Sequence, residues 1–318
     1  LIDFKELVVF EDVARQTGIY LVQKAKPESN TFVVKNSVDE KGSIVFQDFF
    51  KDLKNFAFKT NVNNQDIVLF KKLNANAVLL GNIVCINTGV VAHSKIGSPI
   101  KFTKDDVITK EPQDGFKKYV IGSNLSSHTI IFDGTFMDYD SKKDFFHRPK
   151  FPLLFESEKV IVRRISGKNN SIIACFDDEK YYSNDNLMHL VMWNQQILEF
   201  QKPEKKWDAI IDSKYSLKLI AAILNSKLIT YFFSKFLSTD TLQGSYSSIY
   251  PEDLRQIPVK YDDNFVSLIE AISVKINEEK KQNPSADTSD MENQIDQLVY
   301  QLYGLTEEEI AIIENSVK

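Results

Sequence analysis

Cysteine is scarce: Cys85 and Cys175 are the two in 318 residues, both inside apolar strand-like runs, with no CxxC spacing and no histidine cluster beside either. This argues against a disulfide framework or a zinc site and leads us to expect buried free thiols in a reducing cytoplasm. Histidine is also sparse. His93, His128, His147 and His189 are scattered without an i, i+4 pair, so none is nominated as a base. No run of 18 apolar residues and no signal-like start is present, so neither membrane insertion nor export is expected. The sequence contains no GxSxG, HExxH, P-loop or GxGxxG pattern, which disfavours a free-standing hydrolase. Internal repeats are absent too, which disfavours a tandem array. Asp177, Asp178 and Glu179 form a carboxylate trio, but their position after an apolar strand and before "KYYSND" reads as a solvated hairpin tip.

Apolar residues make up 43% of the chain, enough for a sizeable core, and the length favours two structural units. The formal net charge is −5, which excludes a uniformly basic surface but not a local basic patch. Between Lys142 and Lys168, eight lysines or arginines stand against three carboxylates. The chain opens with Leu1 and the strand-like "LIDFKELVVF", which reads as a piece of a longer polypeptide.

"LVVF" and "TFVVK" within residues 1–35 predict β-hairpin material. The spacing of Phe46, Phe49, Phe50, Leu53 and Phe56 predicts a short amphipathic helix. Strands return over 78–135, where "LLGNIVCINTGVVAHSK" suggests a strand entering a Thr-Gly turn. A long, nearly all-apolar helix is predicted over 216–237, started by Ser216 and central to its domain. Another follows near 264–279, then a polar loop over 280–293 with Pro284, then helices near 292–303 and from Thr306.

"PLLFESEKVIVRRISGKNNSIIACF" is the most informative stretch. Lys159–Arg163 and Ile172–Phe176 are β-branched and aromatic runs separated by turn residues, so they predict neighbouring antiparallel strands. Side chains alternate along a strand, so Arg163 and Arg164 cannot share a face. Cations can hold phosphates, while Asn, Ser and Thr can meet base edges. Ordinary surface ion pairs from the two arginines to Glu156 or Glu158 are the competing reading.

The succession "FEDVARQTGIYLVQK", "INTGVVAHSK", "KKYVIGSNL", "RPKFPLLFESEKVIVRRISG", "LKLIAAILNSKLITYFFSKF", "YPEDLRQIPV" and "IDQLVYQLYGLTEEEI" resembles the C-terminal part of TaqI-like adenine-N6 DNA methyltransferases, including the type IIG restriction-modification enzymes. The resemblance implies an α+β fold: a β-rich target-recognition domain with a central apolar helix and a helical C-terminal end. It implies an end of a methyltransferase hairpin region over 1–35, a recognition domain over 36–262 and a helical segment over 263–318.

The implied function is sequence-specific binding of double-stranded DNA as the specificity domain of a restriction-modification system. The Asn-Pro-Pro-Tyr/Phe tetrapeptide and the S-adenosylmethionine loop of the family are not in this sequence, so no cofactor is expected here. S-adenosylmethionine and the catalytic methyltransferase domain are implied for the parent chain, with or without endonuclease activity. Lys159, Arg163, Arg164 and Lys168 match the family's "VRR" strand region, which implies DNA-backbone contact. Arg148 lies in the same matching block, and Thr88-Gly89 resembles the family's "TG" turn, which either lies near DNA or shapes the sheet. Residue type alone nominates Asn124, Ser126, Asn169, Asn170 and Ser245 as readers of base edges. A type I specificity subunit and a protein-interaction module without DNA binding stand as alternatives.

Overall fold

The computed structural model describes residues 1–317 apart from 5–17, 25, 27–29, 36, 54–56, 212 and 239–245. Strand Lys159–Arg163 organises it, pairing antiparallel with Ala174–Asp177 on one side and Leu187–Met192 on the other. Val84–Thr88 completes this four-stranded sheet beyond Leu187–Met192. Alternation sends Val160 and Val162 to one face, with Ala174, Met188, Leu190 and Ile86, into a core shared with helix Leu217–Asn225. Ile161, Cys175 and Leu187 face the other way, against Val120, Leu125 and Tyr181. Both faces are covered, so the strand reads Val-Ile-Val without polar alternation. Each of those side chains contributes about 1.5–3 kcal/mol by burial.

Helices and strands are segregated, so the fold is α+β. Helices Asp263–Gln282, Ser289–Leu302 and Glu307–Ser316 close the C-terminal end, the last started by a capping box between Thr306 and Glu309. Ile269, Ile276 and Val299 from these helices share one cluster with Ile220, and Val34 and Val45 from the N-terminal hairpin share it too. The main core therefore continues across positions 35 and 262.

The expected single helix over 216–237 is broken. Leu217–Asn225 and Lys227–Leu237 meet at 62°, and the second ends in a π turn from Phe233 to Leu237. Two polar side chains cause the break. Asn225 completes the strand edge, its Oδ1 accepting from Ala174 N at 3.0 Å and its Nδ2 donating to Ala174 O at 2.7 Å. Ser226 is extended (φ −69°, ψ 154°), and its hydroxyl accepts from Ile229 N to start the next helix. Among the described residues no single helix is long and apolar enough to cross a membrane, and this bent pair, which meets the length and composition together, is buried in the core.

Other expectations shift. Gln47–Lys51 is a 3-10 turn with Phe49 and Phe50 buried, while Phe46 ends a strand; residues 54–56 lie outside the described residues. The polar loop shrinks to 283–288, because helices extend into both of its ends. Of the N-terminal strands, Thr31–Val34 pairs with Ser43–Phe46, and "LVVF" lies outside the described residues. Thr88-Gly89 is not a turn. The chain stays extended from Val84–Thr88 into Val91–Ser94, which pairs with Phe146–His147.

Candidate nucleic-acid interface

Strand Val84–Thr88 forms one edge of the central sheet among the described residues, and a groove of about 660 Å³ opens against it. Segments 148–150, 201–207 and 250–255 supply the other walls. Five cations line it, Arg148, Lys150, Lys202, Lys206 and Arg255, against two carboxylates, Glu204 and Glu252. The carboxylates pair with only two of these cations. Arg255 lies 3.3 Å from Glu252 and 3.4 Å from Glu204, and Lys206 also pairs with Glu252. Arg255 additionally donates to Ile86 O at 3.1 Å, which fixes helix Pro251–Arg255 to the sheet edge.

Arg148 and Lys150 have no carboxylate within ion-pair distance among the described residues. Lys150 is part-buried and its Nζ donates to neutral oxygens, Asn87 Oδ1 at 2.8 Å and Thr88 Oγ1 at 3.2 Å. Burial pushes its pKa below the usual lysine range, the nearby Arg148 guanidinium adds to this, and Asp185 opposes it. Arg148 precedes Pro149 and adopts φ +61°, a left-handed conformation that costs a non-glycine residue about 1–3 kcal/mol. Two like charges are thus held together, and an anion in the groove relieves both. Cys85 in the wall is no nucleophile, since burial pushes its thiol up to about 12.

The sequence-nominated residues fall in different places. Thr88 and Arg148 line the groove, and Arg164 stacks its guanidinium 5.3 Å from the ring centre of Tyr250, another lining residue. Gly89 adjoins the groove for a packing reason: a Cβ there would stand 2.3 Å from Asn184 O and 2.4 Å from Ser183 O. Arg163 faces the opposite side of the sheet, where a Cβ on Gly122 would lie 3.9 Å from its Nε. Neither arginine forms the ion pair to Glu156 or Glu158 that the sequence allowed, among the described residues.

Lys159 needs correcting as a DNA-contact residue. Its side chain is fully buried, 2.5 Å from its cross-strand partner Asp177 and donating to Phe155 O at 2.6 Å. Burial pushes the lysine pKa down and the aspartate pKa up, each opposed by the other's charge. Asp177 is therefore not at a solvated tip, although the exposed Asp178 is. Asn124 is also buried, accepting from Ile121 N at 2.8 Å and donating to Ile131 O at 3.1 Å, so its amide shapes a loop rather than reading a base. Ser126 is exposed on a small hairpin with Thr129–Ile130. Lys168 is exposed, but Asn169 donates to Val317 O at 2.9 Å and Asn170 accepts from Ser247 Oγ at 2.8 Å, placing that turn beside the C-terminal helix. Ser245 lies outside the described residues.

Sequence reasoning missed Lys150, Lys202, Tyr250 and Arg255 as groove residues. "RPK" at 148–150 and "QKPEKKW" at 201–207 carried the signal as proline-punctuated cation pairs, but nothing local brings them together. Of the histidines, His128 and His189 are buried packing groups, while His93 is exposed and His147 half-buried. His189 is buried with Nε2 2.6 Å from Ser183 Oγ, and burial holds it well below its usual range.

Residues 117–259 match the family model of the TaqI-like C-terminal specificity domain. Among solved structures, the type IIG restriction endonuclease BpuSI aligns with a TM-score of 0.38 and 13% identity over 75% of this chain and 33% of its own. This chain thus spans about a third of that enzyme's length. No curated protein matches the sequence.

Proposed function

We propose, from a chain whose residues 117–259 match the family model of the TaqI-like C-terminal specificity domain, that it binds double-stranded DNA through the basic groove. It would do so as the specificity part of a restriction-modification adenine-N6 methyltransferase. The observation that carries this reading is the pairing of Arg148 with part-buried Lys150, without a carboxylate on either among the described residues, beside the hydroxyl of Thr88. A phosphate oxygen placed there meets two cations and a hydroxyl donor, the combination that fixes register on a duplex. Arg164 and Tyr250 at the rim supply a planar cation and a ring for a sugar or base edge.

Methyl transfer on adenine needs the base out of the stack, so a separate part holding the flanking duplex suits that chemistry. S-adenosylmethionine binding and methyl transfer belong, on this proposal, to another part of the parent polypeptide. The test is fluorescence anisotropy of a labelled duplex with the 318-residue chain and with Lys150→Met. Saturable binding that falls about tenfold to a hundredfold in the variant supports the proposal, since a lost charge-assisted contact amounts to about 1.5–3 kcal/mol. Equal binding by both proteins would contradict it.

A further inference from the structure

Ile96 is 95% exposed, the most exposed large apolar side chain among the described residues. It stands at the tip of a tight turn in which Ser98 N donates to Lys95 O at 3.1 Å and Gly97 takes φ +76°, the conformation a type II turn requires at its third residue. The base of this loop is stiff. Ser94 N donates to Phe102 O at 3.0 Å, Lys95 N donates to Phe145 O at 2.9 Å, and Phe102 is buried edge-on against Phe146 at 5.0 Å. The side chain is therefore presented by a fixed scaffold rather than left over on a loose one. Exposed lysines flank it: Lys95 directly and Lys101 after Ile100.

The loop lies on the same extended segment as the groove. The backbone runs from Thr88 in the groove wall through Val91–Ser94 to Ile96, and at about 3.3 Å per residue the two are up to ~26 Å apart. At 3.4 Å per base-pair step that ceiling is at most about seven whole steps of duplex. His93 and His147, stacked at 5.2 Å, lie between them on the paired strands Val91–Ser94 and Phe146–His147.

We infer that Ile96 is a wedge that inserts at a base-pair step no more than about seven steps from the phosphate held in the groove. This rests on the DNA-binding reading of that groove. An apolar side chain on a rigid turn between lysines has the chemistry needed to unstack a step while the cations hold the adjacent phosphates. A bend at that step would bring more of the duplex against the histidine pair and the groove.

The experiment starts by selecting duplexes from a random pool with the 318-residue chain, then places 2-aminopurine at successive positions of the selected site. We expect a several-fold fluorescence rise, confined to one step, in the wild-type complex. Ile96→Ala should return it to the free-duplex level while leaving the salt dependence of binding unchanged; the residue makes no core contact, so the fold should be kept. A rise that persists in Ile96→Ala, or no rise in a complex that forms, would overturn the wedge and leave the groove reading standing. Failure of the wild-type chain to select any duplex would overturn both. If Ile96→Ala leaves the DNA signal intact but abolishes adsorption to phosphatidylserine vesicles, the loop serves a lipid surface and the inference fails.

Discussion

Lys159 and Arg164 sit five residues apart in one basic stretch and do opposite things. Lys159 is cross-strand to Asp177, deep between the sheet and Phe155, whereas Arg164 reaches the groove rim over Tyr250. Alternation was legible, and it correctly separated the faces of Arg163 and Arg164. What could not be read locally was that a carboxylate 18 residues away would meet Lys159 in register. Removing one member of that pair strands a buried charge, so Lys159→Ala is expected to lower stability by about 3–5 kcal/mol in urea denaturation. Lys159→Met with Asp177→Leu should recover most of it. A loss below 1 kcal/mol for the single variant would contradict the buried pair. Gly89→Ala should likewise cost about 1–3 kcal/mol or more, because its Cβ would overlap the Asn184 and Ser183 carbonyl oxygens. Calorimetry on the variant checks this.

Elements were legible where their pattern was strong and local. The strands around the Gly-Lys-Asn-Asn turn, the apolar central helix and the Thr306 cap all follow from periodicity and capping residues. The break at Ser226 was not visible, because the apolar period continues across it and only the hydrogen bonds between Asn225 and Ala174 and the Ser226 cap stop the helix. Helix Asn64–Asn74, capped reciprocally by Asn63 and Asp66, passed unnoticed because its moment is carried by few apolar residues. The hairpin that carries Ser126 gives a pH prediction. His128 at its tip is buried with Nδ1 2.9 Å from Ser273 Oγ, and burial pushes it down to about 4, with Glu292 opposing and Lys280 adding to this. The unfolded chain thus binds the proton more readily, so His128 makes stability fall as pH drops from about 6.5 toward 4, by at most about 3 kcal/mol. Asp296 nearby, pushed up to about 6 by burial, acts in the opposite direction over the lower part of that window. The difference between wild type and His128→Gln, followed by urea midpoint from pH 7 to pH 4.5, isolates the histidine. A pH-independent difference would contradict this account.

At the scale of the whole molecule, the groove draws its walls from four segments and Trp193, spread between Gly81 and Arg255. No short sequence window contains more than a third of its residues, so the site was only partly legible. Thr88, Arg148 and Arg164 were nominated by resemblance, while Lys150, Lys202 and Tyr250 entered only through folding. The opposed faces of Arg163 and Arg164 predict that Arg164→Ala weakens duplex binding several-fold and Arg163→Ala does not. Titrations of the two single variants decide it, and equal losses would move the interface off the groove. The most direct test of the central claim is the slope of log K against log salt for duplex binding by the wild-type chain and by Arg148→Ala combined with Lys150→Met. Each phosphate contact contributes about one to that slope, and the two cations share one phosphate, so the account predicts a slope shallower by about one in the double variant. An unchanged slope would contradict the assignment of this groove to the DNA backbone.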